Sequence, residues 1–195
     1  MELDLKNYNY EVRHVRTLNE CINSLIQGYA GTVLPCDLEK YFVELVQDEC
    51  FFRYPLIRYM YAHILLFGYW VADDYRMQCC VHRGEDRELA KEILMPLAQE
   101  GLAPAQYDIA NWFYFTGDDM NEQAQWFLMA SRQDYPPAVK KVEGLLALGV
   151  REKLSNETVK AVCTEVVRTC EGSYSKEFAT DLLKKMETEE AEKNL

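Results

Sequence analysis

Four consecutive residues, Cys79-Cys80-Val81-His82, carry the strongest side-chain chemistry in this chain. Thiolates and an imidazole are zinc ligands, and two adjacent thiols can cycle through a disulfide. A closed zinc site takes four ligands, usually as two separated pairs. No Cys-x-x-Cys or His-x-x-x-His pair occurs elsewhere, so ordinary loop cysteines are the plainer reading. Asp73-Asp74 and Asp118-Asp119 are paired carboxylates that could hold a divalent cation, yet neither stretch has the alternating oxygen ligands of a calcium loop. Acidic turn residues capping the next helix explain them better. His63 lies in an apolar helix and reads as a core histidine, and His14 has no acidic neighbour at an informative spacing. No phosphate-binding glycine loop, nucleophile elbow or Cys-His-Asn order is present. The expectation is therefore no enzyme, no metal and no cofactor.

The elements that would position these residues are organised around 103–135. Two helix-length segments flank Gly117-Asp118-Asp119 and carry small and aromatic residues at helical spacing, which predicts a helix hairpin. Ala105, Ala110, Ala124 and Ala130 would let two helices approach closely. Tyr107, Ile109, Phe113, Trp126 and Phe127 supply apolar area. The segment 90–101 matches 123–134 at a constant offset of 33, and 137–149 repeats 104–117 at 32 to 33. A period in the low thirties with two helices per unit predicts stacked helical repeats, since one unit cannot bury its apolar face alone.

The run Ala105-Gln106-Tyr107-x-Ile109-Ala110-x-x-Phe113 with Gly117, followed by Trp126-Phe127-x-x-Ala130 and a turn at Asp134, resembles a Sel-one-like repeat, a relative of the tetratricopeptide repeats. It departs from that pattern at Ala110, where Gly is usual, at Gln123, where Ala is usual, and at Asp134, where Gly is usual. The resemblance covers roughly 55–172. It implies an α-solenoid that binds other proteins and implies no chemistry. The expected fold is all-α: a short right-handed α-solenoid of stacked antiparallel helix hairpins, with about eight or nine helices.

Residues 1–54 are expected to form an N-terminal arm, with alternation at Tyr8-x-Tyr10-x-Val12, and a capping helix pair, the second helix starting at Pro35 and Asp37. Three repeats follow over 55–172, with Pro55 opening the first. Residues 69–86 are longer than a turn between paired helices requires, and are read as an inserted loop, either a lid or a binding element. Ser155 should cap a helix through Val159, Val162, Val166 and Val167. In 173–195, Ser175 should open a capping helix, and the acidic tail from Glu187 should fray.

Composition sets the function class. The chain has 195 residues, 49% of them hydrophobic, which is enough for a core. No apolar run reaches membrane-spanning length, and Met-Glu-Leu-Asp-Leu-Lys is no secretory leader, so the reading is cytoplasmic with seven reduced cysteines. A net charge of −11 and a pI near 4.8 repel phosphate backbones, which argues against nucleic acid and is compatible with a basic protein partner. The leading expectation is a protein–protein interaction module, a cytosolic adaptor or regulator. An immunity protein neutralising a basic toxin or enzyme is the alternative, and a metal or redox role for the cysteine-rich loop is the third. The expected contact uses Trp70, Met77, Trp112, Tyr114 and Phe115 as anchors, with Asp73, Asp74, Asp118 and Asp119 at the rim to steer a basic partner. Coverage of Tyr114 and Phe115 by a neighbouring element is the competing reading, and the slightly favoured one.

Overall fold

Helix starts and stops in this chain follow local backbone chemistry. The computed structural model describes residues 33–35, 55–67, 69–73, 76–80, 87–117, 119–147, 149–170 and 174–193, with 33–35 and 69–80 described by backbone alone. The chain divides into two compact units, Met1–Glu100 and Gly101–Leu195. The described residues are mainly helical, as an all-α chain requires, with seven α-helices among them.

In the first unit, Pro55 opens helix α1 (Pro55–Phe67), where its missing N–H has no intrahelical acceptor to lose. Helix α2 (Arg87–Gln99) places Glu88 in its first turn, at the positive end of the helix dipole, and buries Ala90, Leu94, Leu97 and Ala98 on one stripe. The two helices pack against each other. Between them the structure corrects the expected loop. Strand β2 (Tyr69–Asp73) and strand β3 (Arg76–Cys80) form an antiparallel ladder, and β1 (Val33–Pro35) lies parallel to β2 with Val33 opposite Trp70. Aromatic and β-branched residues in Tyr69-Trp70-Val71 suit an extended chain, and only residues 74–75 separate the two strands. Pro35, expected to start a helix, sits at the end of β1. The arm and the rest of 1–54 lie outside the described residues.

The second unit is helical throughout its described length, apart from turns. Helix α3 (Ala103–Thr116) has Pro104 in its first turn and ends at Gly117, whose φ of 72° lets its N–H reach back to Phe113 O at 3.1 Å. Helix α4 (Met120–Ser131) is capped by Asp119, whose Oδ1 accepts from the Asn121 N–H at 2.7 Å. Helix α5 (Pro136–Gly144) follows directly, then a 3-10 turn at Arg151–Lys153 and helix α6 (Asn156–Thr169). Ser155 caps α6 as expected, its Oγ accepting from the Thr158 N–H. Helix α7 (Tyr174–Lys193) begins one residue before Ser175 and stays helical through most of the acidic stretch expected to fray.

Among the described residues, positive φ marks four turn positions. Gly101 (96°) and Asp134 (58°) are 33 residues apart, and Gly117 (72°) and Gly149 (86°) are 32 apart. Asp134 thus holds a conformation that favours glycine, at the position where the resembled repeat carries one.

Three polar contacts of equal spacing help to fix how α4 and α6 meet. Asn121 Oδ1 accepts from the Ser155 N–H at 2.7 Å, Ser131 Oγ donates to Glu165 Oε1 at 2.6 Å, and Arg168 Nη1 donates to Asp134 Oδ1 at 2.9 Å. Each spans 34 residues, so α4 and α6 lie alongside one another in a single register. The floor beneath this seam is apolar. Ala124, Phe127 and Leu128 of α4 join Val159, Val162 and Val166 of α6, with Val142 of α5 and Ala179 of α7 closing the cluster. Full burial of side chains such as Leu128 or Val162 contributes about 1.5–3 kcal/mol each, before conformational entropy offsets it.

Candidate interaction surface

Helix α3 changes character within one turn. From Pro104 to Phe113 nearly every side chain is buried, including polar Gln106, Asp108 and Asn111. Tyr107 packs its ring on Phe127 and Tyr135, each at 5.5 Å between centroids, and burial pushes its phenol up from the ordinary value. Beyond Phe113 the helix emerges. Tyr114 is 70% exposed and Phe115 40%, their rings 5.8 Å apart and tilted at 67°. The backbone that holds them is closed off, because Thr116 Oγ donates to Trp112 O at 3.1 Å and Gly117 caps the last turn.

The expected contact residues separate under this geometry. Tyr114 is largely exposed and Phe115 partly so. Trp112 is corrected: it is 3% exposed and stacks edge-on against Phe113 at 5.1 Å, a core residue and not a surface anchor. Helical geometry explains the split, since Trp112 and Tyr114 point about 200° apart around the axis. Asp119 is exposed and serves as the cap of α4, where its carboxylate compensates the helix N-terminus. Trp70 and Asp73 occupy β2 and Met77 occupies β3 of the first unit, where Asp73 pairs with Arg76 and Ala72 with Met77. Asp74 and Asp118 lie outside the described residues, as do His82 and the 81–86 part of the expected loop. Cys79 and Cys80 close β3. Among the described residues no group of three or more His, Cys, Asp or Glu side chains is placed to hold a metal ion. No described helix is long and apolar enough to cross a membrane.

A second polar group, unanticipated from the sequence, sits at the far end of α4. Glu165 is 4% exposed, and its carboxylate accepts from Ser131 and from both Nε and Nη2 of Arg168. Arg168 Nη2 also donates to Ser131 O at 2.9 Å. Burial alone would raise the Glu165 carboxyl, but the hydrogen bonds from Arg168 and Ser131 outweigh it and hold it below the ordinary value. The bidentate Arg168–Glu165 pair is the strong form of this contact. Its signal in the sequence is the recurrence of complementary polar residues 34 apart, Ser131 with Glu165 and Asp134 with Arg168. On the same helix Cys163 is fully buried, and burial pushes its thiol up to about 11, so it is unreactive at neutral pH. These groups bind the unit to itself.

No family model, no curated protein and no solved structure matches this chain.

Proposed function

We propose that the chain is a non-catalytic protein-interaction module, a cytosolic adaptor or regulator built as a short right-handed α-solenoid of stacked antiparallel hairpins. The repeat reading is supported by the shared register of α4 and α6, with its three 34-residue contacts, and by positive φ recurring at 101 and 134 and at 117 and 149. In such stacks each unit buries its seam on the next and leaves one face free for recognition.

One observation carries the functional reading. Two adjacent aromatic rings, Tyr114 and Phe115, stand exposed at the end of a helix whose other large side chains are buried or partly buried. Exposed aromatics on a rigid helix are the usual anchors of protein interfaces, because they bring large area at low entropic cost. The acidic surface favours a basic partner, steered by a field that salt screens over about 8 Å at physiological ionic strength. An immunity protein that blocks a basic enzyme would meet the same physical description, and inhibition of the captured partner's activity would single it out.

The test is affinity capture from the native cell with the wild-type chain and with the double variant Tyr114→Ser, Phe115→Ser. A protein retained by the wild type and lost with the variant, at unchanged melting temperature, is the expected result. Identical capture by both chains would remove this surface from the reading.

A further inference from the structure

A cleft in the second unit lies between α5, the 3-10 turn and the start of α7, away from the aromatic pair on α3. Its volume is about 400 Å³, within the range of small-molecule sites. Leu146, Ala147 and Phe178 form apolar lining, and Tyr174, 82% exposed, stands at its edge. Into this apolar lining reaches one cation. Arg151 holds its guanidinium 5.5 Å from the centroid of the Phe178 ring. Among the described residues no carboxylate pairs with it, although the chain carries a net charge of −11.

That combination has a physical consequence. A guanidinium stacked on a ring is oriented by the stacking, while its N–H edge stays available for a planar, bidentate acceptor. A carboxylate is such an acceptor, and the apolar walls beside it suit a ring or a branched alkyl group. Glu143 also lines the cleft, with Oε1 accepting from the Ser175 hydroxyl, which ties α5 to the first turn of α7. Its negative charge would oppose a second anionic group on the ligand.

We propose that this cleft binds a small organic monocarboxylate with an aromatic or branched apolar body, its carboxylate on Arg151 and its body against Phe178 and Leu146. The site is independent of the α3 surface and stands or falls apart from it. Bound ligand would bridge the 3-10 turn and α7, so it would also raise the stability of the full chain by mass action.

The experiment titrates the full-length chain with phenylacetate, indole-3-carboxylate and 4-methylpentanoate, following amide chemical shifts. Phenylacetamide serves as the neutral control. At least one acid should saturate the residues around Arg151 and Phe178 and bind ten-fold or more tightly than the amide. Arg151→Gln should lose that ten-fold preference, and Arg151→Lys should keep part of it, because lysine retains the charge without the fork. If Arg151→Gln fails to fold, the acid–amide ratio on the wild-type chain decides alone. Equal binding of acid and amide, or no saturation by any of the acids, would overturn the assignment. So would tighter binding of a peptide ending in phenylalanine, since the occupant would then be a chain terminus.

Discussion

The α4–α6 seam and the outer end of α3 belong to the same unit and handle their side chains in opposite ways. At the seam, polar groups are turned inward and satisfied: Glu165 is buried and met by three donors from two residues. At the end of α3, apolar groups are turned outward, Tyr114 largely exposed and Phe115 partly so. Stability alone explains the first arrangement. A buried carboxylate is tolerable only when its oxygens are fully hydrogen-bonded, and it then fixes one register between two helices. Stability alone does not explain the second, because a polar residue at 114 would cost the fold almost nothing. The difference separates what holds the unit together from what it offers to another molecule.

That separation can be broken most severely at the floor of the seam. Leu128→Ala removes a fully buried side chain, and should lower the unfolding free energy by about 3 kcal/mol in a urea titration. A loss below about 1 kcal/mol would mean that the seam collapses around the cavity, and that its packing is loose. Next in size is Arg168→Ala. It strands the Glu165 carboxylate with Ser131 alone. Fully buried pairs lose about 3–5 kcal/mol on such truncation, but Arg168 is 44% exposed, so about 2 kcal/mol is expected. The companion variant Glu165→Gln should be milder, because the amide keeps an acceptor for Ser131 without a buried charge.

Acid should probe the same clasp with a definite sign. The folded carboxyl of Glu165 is held below the ordinary 4.5, so its contribution is complete above that value and is lost as pH falls through the folded pKa. Stability should drop on acidification below about pH 4.5, and Glu165→Gln should show a shallower drop over that window. Parallel pH profiles for the two chains would show that the clasp contributes no proton linkage. The smallest effect is expected at the other region. Tyr114→Ser with Phe115→Ser should shift the unfolding free energy by less than about 1 kcal/mol. A melting temperature many degrees lower would place both rings in the core and erase the contrast.

Much of this unit was legible because its signals are local. Asp119 and Ser155 read as caps and Gly117 as a stop, each from residues within one turn. The first unit was less legible. A five-residue strand such as 69–73 carries little local information, and its parallel partner 33–35 lies more than thirty residues upstream. A repeat pattern that expects paired helices therefore absorbed the segment as a loop. Trp112 was misassigned for a different reason. Adjacent aromatics on α3 all suit either role, and only the direction in which the helix emerges from the packed core sorts 112 from 114. The Glu165 clasp escaped notice because Ser131, Glu165 and Arg168 look individually like solvent-facing residues, and their meaning lies in the spacing between helices.

The end of α7 has a consequence of another kind. Glu187, Glu189, Glu190 and Glu192 crowd the C-terminal turns, where the helix dipole is already negative, so the charge there works against helicity. Lys160 reaches over from α6 to Glu190 at 3.0 Å, and Lys185 lies 3.9 Å from Glu189 on the helix itself. Both contacts are solvent-exposed, so the grip is weak and reversible. A chemical mark on a single exposed amine should loosen it. Acetylation of Lys160, mimicked by Lys160→Gln, cancels one charge held against Glu190. The last turns of α7 should then become the first place where a glutamate-specific protease cuts, faster than in the unmarked chain, with the α4–α6 core untouched.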